Sequence, residues 1–274
     1  MGLKLFDSDL FALRGKLPPK KKALIEIIGA ILFLLVWWSI TQFTDIKPSI
    51  LPSPIKVITC IPEMFTSVAP DPEYHLIRNT GYSIWLNLLG YVEATIISLI
   101  LGFLIGLIPL FRALSERILA ALRFLPLTAF ICVLIAWFGI GLNVKIQFLA
   151  LGIVVYMLPV VVQRIDEVPK VLLNTAKTLG ATKWQTVKTI YMPDVLSRFS
   201  DDIRVLTAIS WTYIVIAEMV NSSDGGIGAL VFVVQKQNRM DMVFAIVVII
   251  LLIGIIQDRL MLLLDKFLIK HKYA

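Results

Sequence analysis

The sequence predicts an all-α, polytopic membrane protein of about six transmembrane helices with a two-helix cytoplasmic loop, and three observations carry its membrane class. Of the 274 residues, 58% are apolar and only 16% charged, against about 45–50% and about 25% in soluble domains. The apolar residues gather in long runs nearly free of charge, at 23–40, 81–110, 124–142, 146–162, 205–220 and 243–256, and most of these are long enough to cross a bilayer. The runs lack the alternation of barrel strands, and in hydrocarbon every backbone polar group must be paired inside the segment, so the spans are helices. A soluble enzyme, a disordered scaffold and a nucleic-acid binder are excluded. The net charge of +7 is therefore read by membrane side and not as affinity for DNA.

The first 22 residues are polar and basic, and no small-residue cleavage site follows the first apolar run, so that run is expected to remain as an anchor. Short loops rich in Lys and Arg are retained on the cytoplasmic side. With the N-terminus inside, segments 1–22, 111–117, 164–204 and the tail after residue 264 hold eighteen basic residues, whereas 41–80, 143–145 and 221–242 hold six. The chain then divides into a cytoplasmic segment 1–22, one transmembrane domain 23–264 and a cytoplasmic tail 265–274, with both termini cytoplasmic.

The exterior stretch 47–72 carries six of the thirteen prolines, and the spacing of apolar residues over 55–68 predicts a short helix on the outer surface, a lid or brace. The run 81–110 exceeds one perpendicular span, so it tilts or begins outside the membrane. Its Gly102 and Gly106, four residues apart, permit close helix packing. Trp37, Trp38, Trp85 and Trp137 read as interfacial or lipid-facing anchors. Cys60 and Cys132 suit neither a disulfide framework nor a metal site.

No phosphate-cradling Gly-x-x-x-x-Gly-Lys loop, His-Glu-x-x-His helix or Gly-x-Ser-x-Gly elbow is present, and the two histidines, His75 and His271, cannot build a metal site. An intramembrane enzyme is thus not expected, nor any metal or cofactor bound by this chain. The informative segment is 164–204. Val171, Leu172, Leu173, Ala176 and Leu179 form an apolar stripe, and Gly180 ends that first helix. Thr182 to Gln185, with Trp184 between them, is a capping-box pattern starting a second helix, which Pro193 stops. An amphipathic loop carrying Lys170, Lys177, Lys183 and Lys188 also suits an anionic lipid surface.

The spacing in this loop resembles the cytoplasmic loop of bacterial ABC-importer permeases, whose pattern is Glu-Ala-Ala, three residues, Gly, nine residues, Ile, one residue, Leu-Pro. Ala176, Gly180, Ile190 and Pro193 fall on register, Met192 replaces the Leu, and Asn174 and Thr175 replace the Glu and first Ala. Leu51-Pro52-Ser53-Pro54, Trp137-Phe138-Gly139-Ile140-Gly141, Ala217-Glu218-Met219 and Gly225-Gly226-Ile227-Gly228 narrow the resemblance to permeases similar to those for nitrate, taurine, alkanesulfonate and bicarbonate. Similar permeases also serve thiamine-precursor and riboflavin uptake.

The resemblance implies ATP-driven alternating access by two permease copies, two cytoplasmic ABC ATPases that hold the ATP and magnesium, and an external solute-binding protein. It assigns ATPase coupling to Asn174, Thr175, Ala176, Gly180, Ala181, Thr182, Trp184, Ile190, Met192 and Pro193. A stand-alone channel or secondary carrier, which leaves the loop unexplained, and a non-transporting membrane anchor for an ATPase are the competing classes.

Two acids lie within expected spans, Glu93 and Glu218, and an unpaired carboxylate in lipid is costly. Glu218, near Trp211, Thr212, Tyr213 and Asn221, either lines the translocation path or makes a structural hydrogen bond to a neighbouring span or to the loop of Gly225, Gly226 and Gly228. A bare Glu in the path of an anion is unfavourable, which favours the structural role if the solute is an anion. The spans show no Lys or Arg near their centres, so an anion site would rest on hydroxyls, amides and helix N-termini.

The charge asymmetry makes a direct prediction. Cysteines placed at Lys56 and Lys183 are expected to be labelled by a membrane-impermeant reagent from opposite faces, and labelling of both from one face would overturn the topology.

Overall fold

A computed structural model describes residues 17–66 and 75–268; the first sixteen residues, part of the 47–72 stretch and the end of the tail lie outside them. Helix α1 (Pro19–Phe43) starts with Pro at a position where no N–H is needed and buries none of its residues, as a helix solvated by lipid should. One side chain ties it down. Trp37 donates its indole N–H to the Pro52 carbonyl at 3.1 Å and packs on Phe244, so this Trp is a staple between α1 and the next elements and not a lipid-facing anchor.

Helix α2 (Pro54–Thr66) is the expected surface helix. It buries Val57, Cys60 and Met64 and leaves Ile55, Ile58 and Phe65 outward. It braces the start of α11 (Met240–Leu268), and Arg239 reaches Glu63 at 3.0 Å and Asp241 at 2.9 Å. Bonds to these two carboxylates hold the Arg239 guanidinium above its ordinary pKa.

The core is built on α3 (Leu76–Leu107) against α6 (Leu142–Asp166), the most extensive helix pair. Gly102 and Gly106 explain their closeness. A Cβ on Gly102 would lie 2.4 Å from Val161, and one on Gly106 2.5 Å from Ile165, so only hydrogen at these positions lets the two backbones approach. The same face of α3 carries Asn79, Ser83, Asn87 and Ser98, all buried.

The expected third span, 124–142, takes a different form. Helix α4 (Pro109–Leu122) and α5 (Leu127–Phe138) meet at an angle of 109°. Pro126 disfavours helical backbone at Leu125 and cannot donate a backbone N–H. Helix α5 has 12 residues, about 18 Å, short of the roughly 30 Å hydrocarbon core. The described residues therefore hold five helices long and apolar enough to span, and a sixth if α4 and α5 are one broken span.

A second difference concerns Pro193. Helix α7 (Lys170–Thr178) is short, but α8 (Lys183–Thr186) does not stop at Pro193: five π-helical residues, Val187–Tyr191, join it to α9 (Met192–Val220). Together they form one helix of 38 residues, Lys183–Val220. Pro193 falls in the first turn of α9, and the wider π turn before it tolerates a residue without an N–H. Residues 192–204, read from sequence as loop, thus belong to the spanning helix. Beyond α9 come the short apolar α10 (Ile227–Lys236) and α11.

Replacing Gly102 by Leu is expected to cost about 1–3 kcal/mol through overpacking. Gly29→Leu, where no atom lies within 4 Å of the added carbon, serves as the neutral control. Thermal unfolding of the two solubilised variants checks this.

Candidate functional site

Two polar assemblies stand at opposite ends of the bundle. At the first, α7 projects between α6 and α8. Its C-terminus closes by backbone geometry: Gly180 has φ +72°, its N–H donates to the Lys177 carbonyl, and the Ala181 N–H donates to the Ala176 carbonyl, each at 3.0 Å. That pairing requires the left-handed conformation that glycine adopts without strain. Thr182 then caps α8 reciprocally, its hydroxyl accepting from the Gln185 N–H at 3.2 Å while its own N–H donates to the Gln185 side chain at 2.8 Å.

This local geometry leaves apolar side chains outward. Val171 is 74% exposed, Leu179 80% and Trp184 70%. Asn174, Thr175, Thr182, Met192 and Pro193 are exposed as well, Ala181 and Ile190 are half-buried, and Ala176 is buried. The open space around Gly180, with no atom within 4 Å, shows that what constrains this position is its φ and not a steric contact within the chain.

Arginine-carboxylate pairs tie the bundle helices together where the loop leaves them. Arg164 of α6 makes a fork to Asp202 of α9, with 2.7 and 2.8 Å contacts, and reaches Glu167 at 2.6 Å. Arg204 of α9 reaches Asp258 of α11 at 2.9 Å, and Arg112 of α4 pairs with Asp166. A bond from Gln163, and then the Arg164 guanidinium, hold the Glu167 carboxyl below its usual range. The sequence registers these arginines only as basic loop residues, because their acidic partners lie on other helices.

At the opposite end α9 stops at Asn221, and a tight loop leads into α10. Glu218 is fully buried there. Its carboxylate accepts from the Ser83 hydroxyl, 2.6 and 2.8 Å from its two oxygens, and from the Gly228 N–H at 2.8 Å. Ser83 Oγ accepts from the Ile227 N–H at 2.7 Å, and Asn79 Oδ1 accepts from the Gly226 N–H at 2.6 Å. The first backbone N–H groups of α10 are thus matched by α3 and by an acid, as an N-terminal dipole favours. Gly226 has φ +110°, and a Cβ there would lie 2.2 Å from the Glu218 carboxyl carbon; only glycine fits.

Beside this cradle sits a residue that the sequence places in an exterior loop. Lys145, in the first turn of α6, is 0% exposed. Its ammonium lies 3.4 Å from Asp224 Oδ2, 3.4 Å from the Gly225 carbonyl and 5.4 Å from the centre of the Tyr82 ring. Lys145 enters the buried part of the bundle from the end of α6, a place that a search of the span centres for Lys or Arg does not reach. The available signal was Asp224 before two glycines, an acid needing a partner that folding alone supplies.

The remaining polar candidates disperse. Glu93 is half-buried and accepts from Gln147 at 2.8 Å. Trp211 donates to Gln257 at 2.8 Å, Tyr213 packs edge-on against Phe148, Thr212 is exposed, and Asn221 donates to the Gly141 carbonyl at 3.2 Å. Only Glu218 and Gly225, Gly226 and Gly228 are brought together.

Comparison with known proteins decides the family. The family described as binding-protein-dependent transport system inner membrane component matches residues 94–270. The chain belongs to it. Among relatives, a putative ABC transporter permease protein of Methanocaldococcus jannaschii is 29% identical over 92% of this chain and 94% of its own length. The taurine transport system permease protein of Escherichia coli is 24% identical over 90% and 89%, and the bicarbonate transport system permease protein of Synechococcus elongatus 22% over 90% and 90%. A methionine ABC transporter solved in an inward-facing conformation shares the fold, with TM-score 0.58, 20% identity, and coverage of 72% of this chain and 95% of that one.

The protein is thus an ABC-importer permease, a multi-pass component of the inner membrane. Its two polar ends carry different work: one leaves apolar groups uncovered, and the other satisfies every group of a buried cradle. For the cradle, Glu218→Gln keeps one oxygen to accept from the Gly228 N–H and replaces the oxygen that accepts from the Ser83 hydroxyl by an amide that donates to Ser83 Oγ, so the permease is expected to keep its melting temperature. Glu218→Leu strands both and is expected to cost about 1–3 kcal/mol. Thermal unfolding of both variants measures the difference.

Proposed function

We propose that this permease moves a small oxyanion of the taurine, sulfonate, nitrate or bicarbonate kind inward by ATP-driven alternating access. Two copies would work with two cytoplasmic ATPases, which hold the ATP and magnesium, and with an external solute-binding protein. In this reading the α7 end and both termini are cytoplasmic, in line with the excess of basic residues on that side.

The observation that carries the reading is the uncovered apolar face of α7 and α8, with Val171, Leu179 and Trp184 outward, on a loop whose α8 continues through the π turn into α9 of the membrane domain. Exposed large apolar groups in a protruding segment suit a seat on a partner protein. The helix from Lys183 to Val220 is about 57 Å long at 1.5 Å per residue. A push on α8 would therefore reach the Glu218 cradle along one continuous helix that includes the π turn of Val187–Tyr191, and through α6 by way of Arg164 and Asp202. Closure of the two ATPases would draw the two α7 helices together and swing the attached spans. The solute class is supported by the names of the relatives.

The seat is tested at Gly180. Gly180→Val must adopt a left-handed backbone at a β-branched residue, a strain of about 1–2 kcal/mol or more, whereas Asn tolerates it. Capture of the ATPase by the solubilised permease is expected to fail for Gly180→Val and to persist for Gly180→Asn, with membrane insertion unchanged in both. Full binding by the Val variant would rule out α7 and α8 as the dock.

A further inference from the structure

We propose that the cavity at the outer end of α3 is a binding site for a small oxyanion, in which Arg78 supplies the uncompensated positive charge and Lys145 acts from beneath by cancelling Asp224. The inference rests on the import reading and names where the solute meets the permease. The cavity measures about 410 Å³ and is lined by Arg78, Asn79, Tyr82, Ser222, Ser223, Asp224 and Gly225. That volume suits a solute of a few heavy atoms with some water, and the lining is rich in donors: a guanidinium, a phenol and two hydroxyls.

The charge balance is what makes it an anion site. Three acids or bases would act on a guest: Asp224, Lys145 and Arg78, with Glu218 one layer deeper. The Glu218 carboxylate is already consumed by Ser83 and the Gly228 N–H, so its charge is met by the start of α10. Asp224, 39% exposed at its side chain, would repel an anion were it alone, but the fully buried Lys145 ammonium sits 3.4 Å away. Arg78 is exposed and enters no ion pair among the described residues. The pair cancels, and the net field in the cavity is that of Arg78. Arg78 thus contacts the oxyanion through its fork of donors, and Lys145 is a positioning residue that holds Asp224 aside.

The test reads charge selectivity in the assembled complex with its ATPases. In a Cys60→Ser, Cys132→Ser background, Ser223→Cys places a thiol in the cavity and Thr59→Cys a reference thiol on α2. Each is reacted with a methanethiosulfonate bearing a sulfonate and with one bearing a trimethylammonium group. Relative to Thr59→Cys, the cavity thiol is expected to favour the sulfonate reagent by about fivefold to tenfold, the effect of one unscreened charge nearby. Arg78→Gln abolishes that preference and Asp224→Asn increases it; opposite signs are not produced by a merely structural role. Sodium nitrate, sodium bicarbonate and taurine slow the reaction only while Arg78 is present.

A rate ratio unmoved by both variants, or absence of protection by all three probes, overturns the site. Uptake of the same labelled probes into proteoliposomes containing the binding protein is measured in parallel. Oxyanion uptake with a charge-blind cavity sinks the site and leaves the import reading standing. A charge-selective, protected cavity in a complex that imports no oxyanion sinks that reading and leaves the site.

Discussion

The buried carboxylate of Glu218 is the constraint around which the end of the bundle opposite the α7 loop is arranged. An acid buried in a membrane domain needs hydrogen-bond donors, and here they come from two directions, the Ser83 hydroxyl of α3 and the Gly228 N–H at the start of α10. The demand runs the other way too. A short apolar helix entering the core exposes N–H groups at its first turn, and Asn79, Ser83 and Glu218 answer three of them. One interaction set therefore fixes the register of α3, α9 and α10 together. It also dictates Gly226, since no Cβ fits between that backbone and the carboxylate.

The buried Lys145 obeys the same rule with different chemistry. Lys145 is neutralised by an acid whose own side chain reaches the cavity, so the pair is one-sided: the cation is wholly enclosed and the anion is not. Such an arrangement makes Asp224 the adjustable member. At the other end, Arg164, Arg204 and Arg112 meet Asp202, Asp258 and Asp166, partly exposed pairs whose individual energies are small. What they contribute is connection, since they tie α4, α6, α9 and α11 at the level where the loop leaves the bundle.

The spans were legible in the sequence wherever hydrophobicity runs uninterrupted, as in α1, α3, α6 and α11, because length and apolarity alone dictate a membrane helix. The loop was legible at Gly180 and Thr182, where a left-handed cap and a capping box are chemistry of single residues. Pro193 misled because a proline is read as a stop, and whether its missing N–H ends a helix or sits in a first turn depends on the backbone before it. The bend between α4 and α5 was hidden inside an apolar run for the converse reason: composition reports burial in lipid but not direction. Lys145 was invisible as a buried group since its partner lies some eighty residues away, and only the packing of α6 beside the loop after α9 brings the two together. Glu218 stood out as an acid needing partners, but Ser83 carries no signal by itself.

Helices α6 and α9 hold the two ends of the molecule in one mechanical unit. Each contributes a charged group to the cluster around α10, Lys145 from α6 and Glu218 from α9, and both contribute to the ring at the α7 end, where Arg164 of α6 meets Asp202 of α9. The loop of α7 and α8 is the covalent link between them. A force applied to that loop meets a glycine cap that closes α7 and a capping box that locks α8, so neither junction yields easily; the soft place is the π turn of Val187–Tyr191, where hydrogen bonds are already displaced from the α pattern. Movement at the loop would be taken up by rotation about that turn or passed whole to α9, and the choice between these depends on whether the Arg164–Asp202 fork holds. An intact fork makes α6 and α9 move together and carries Lys145 and Glu218 as a pair, which changes the cavity without exposing either charge to lipid.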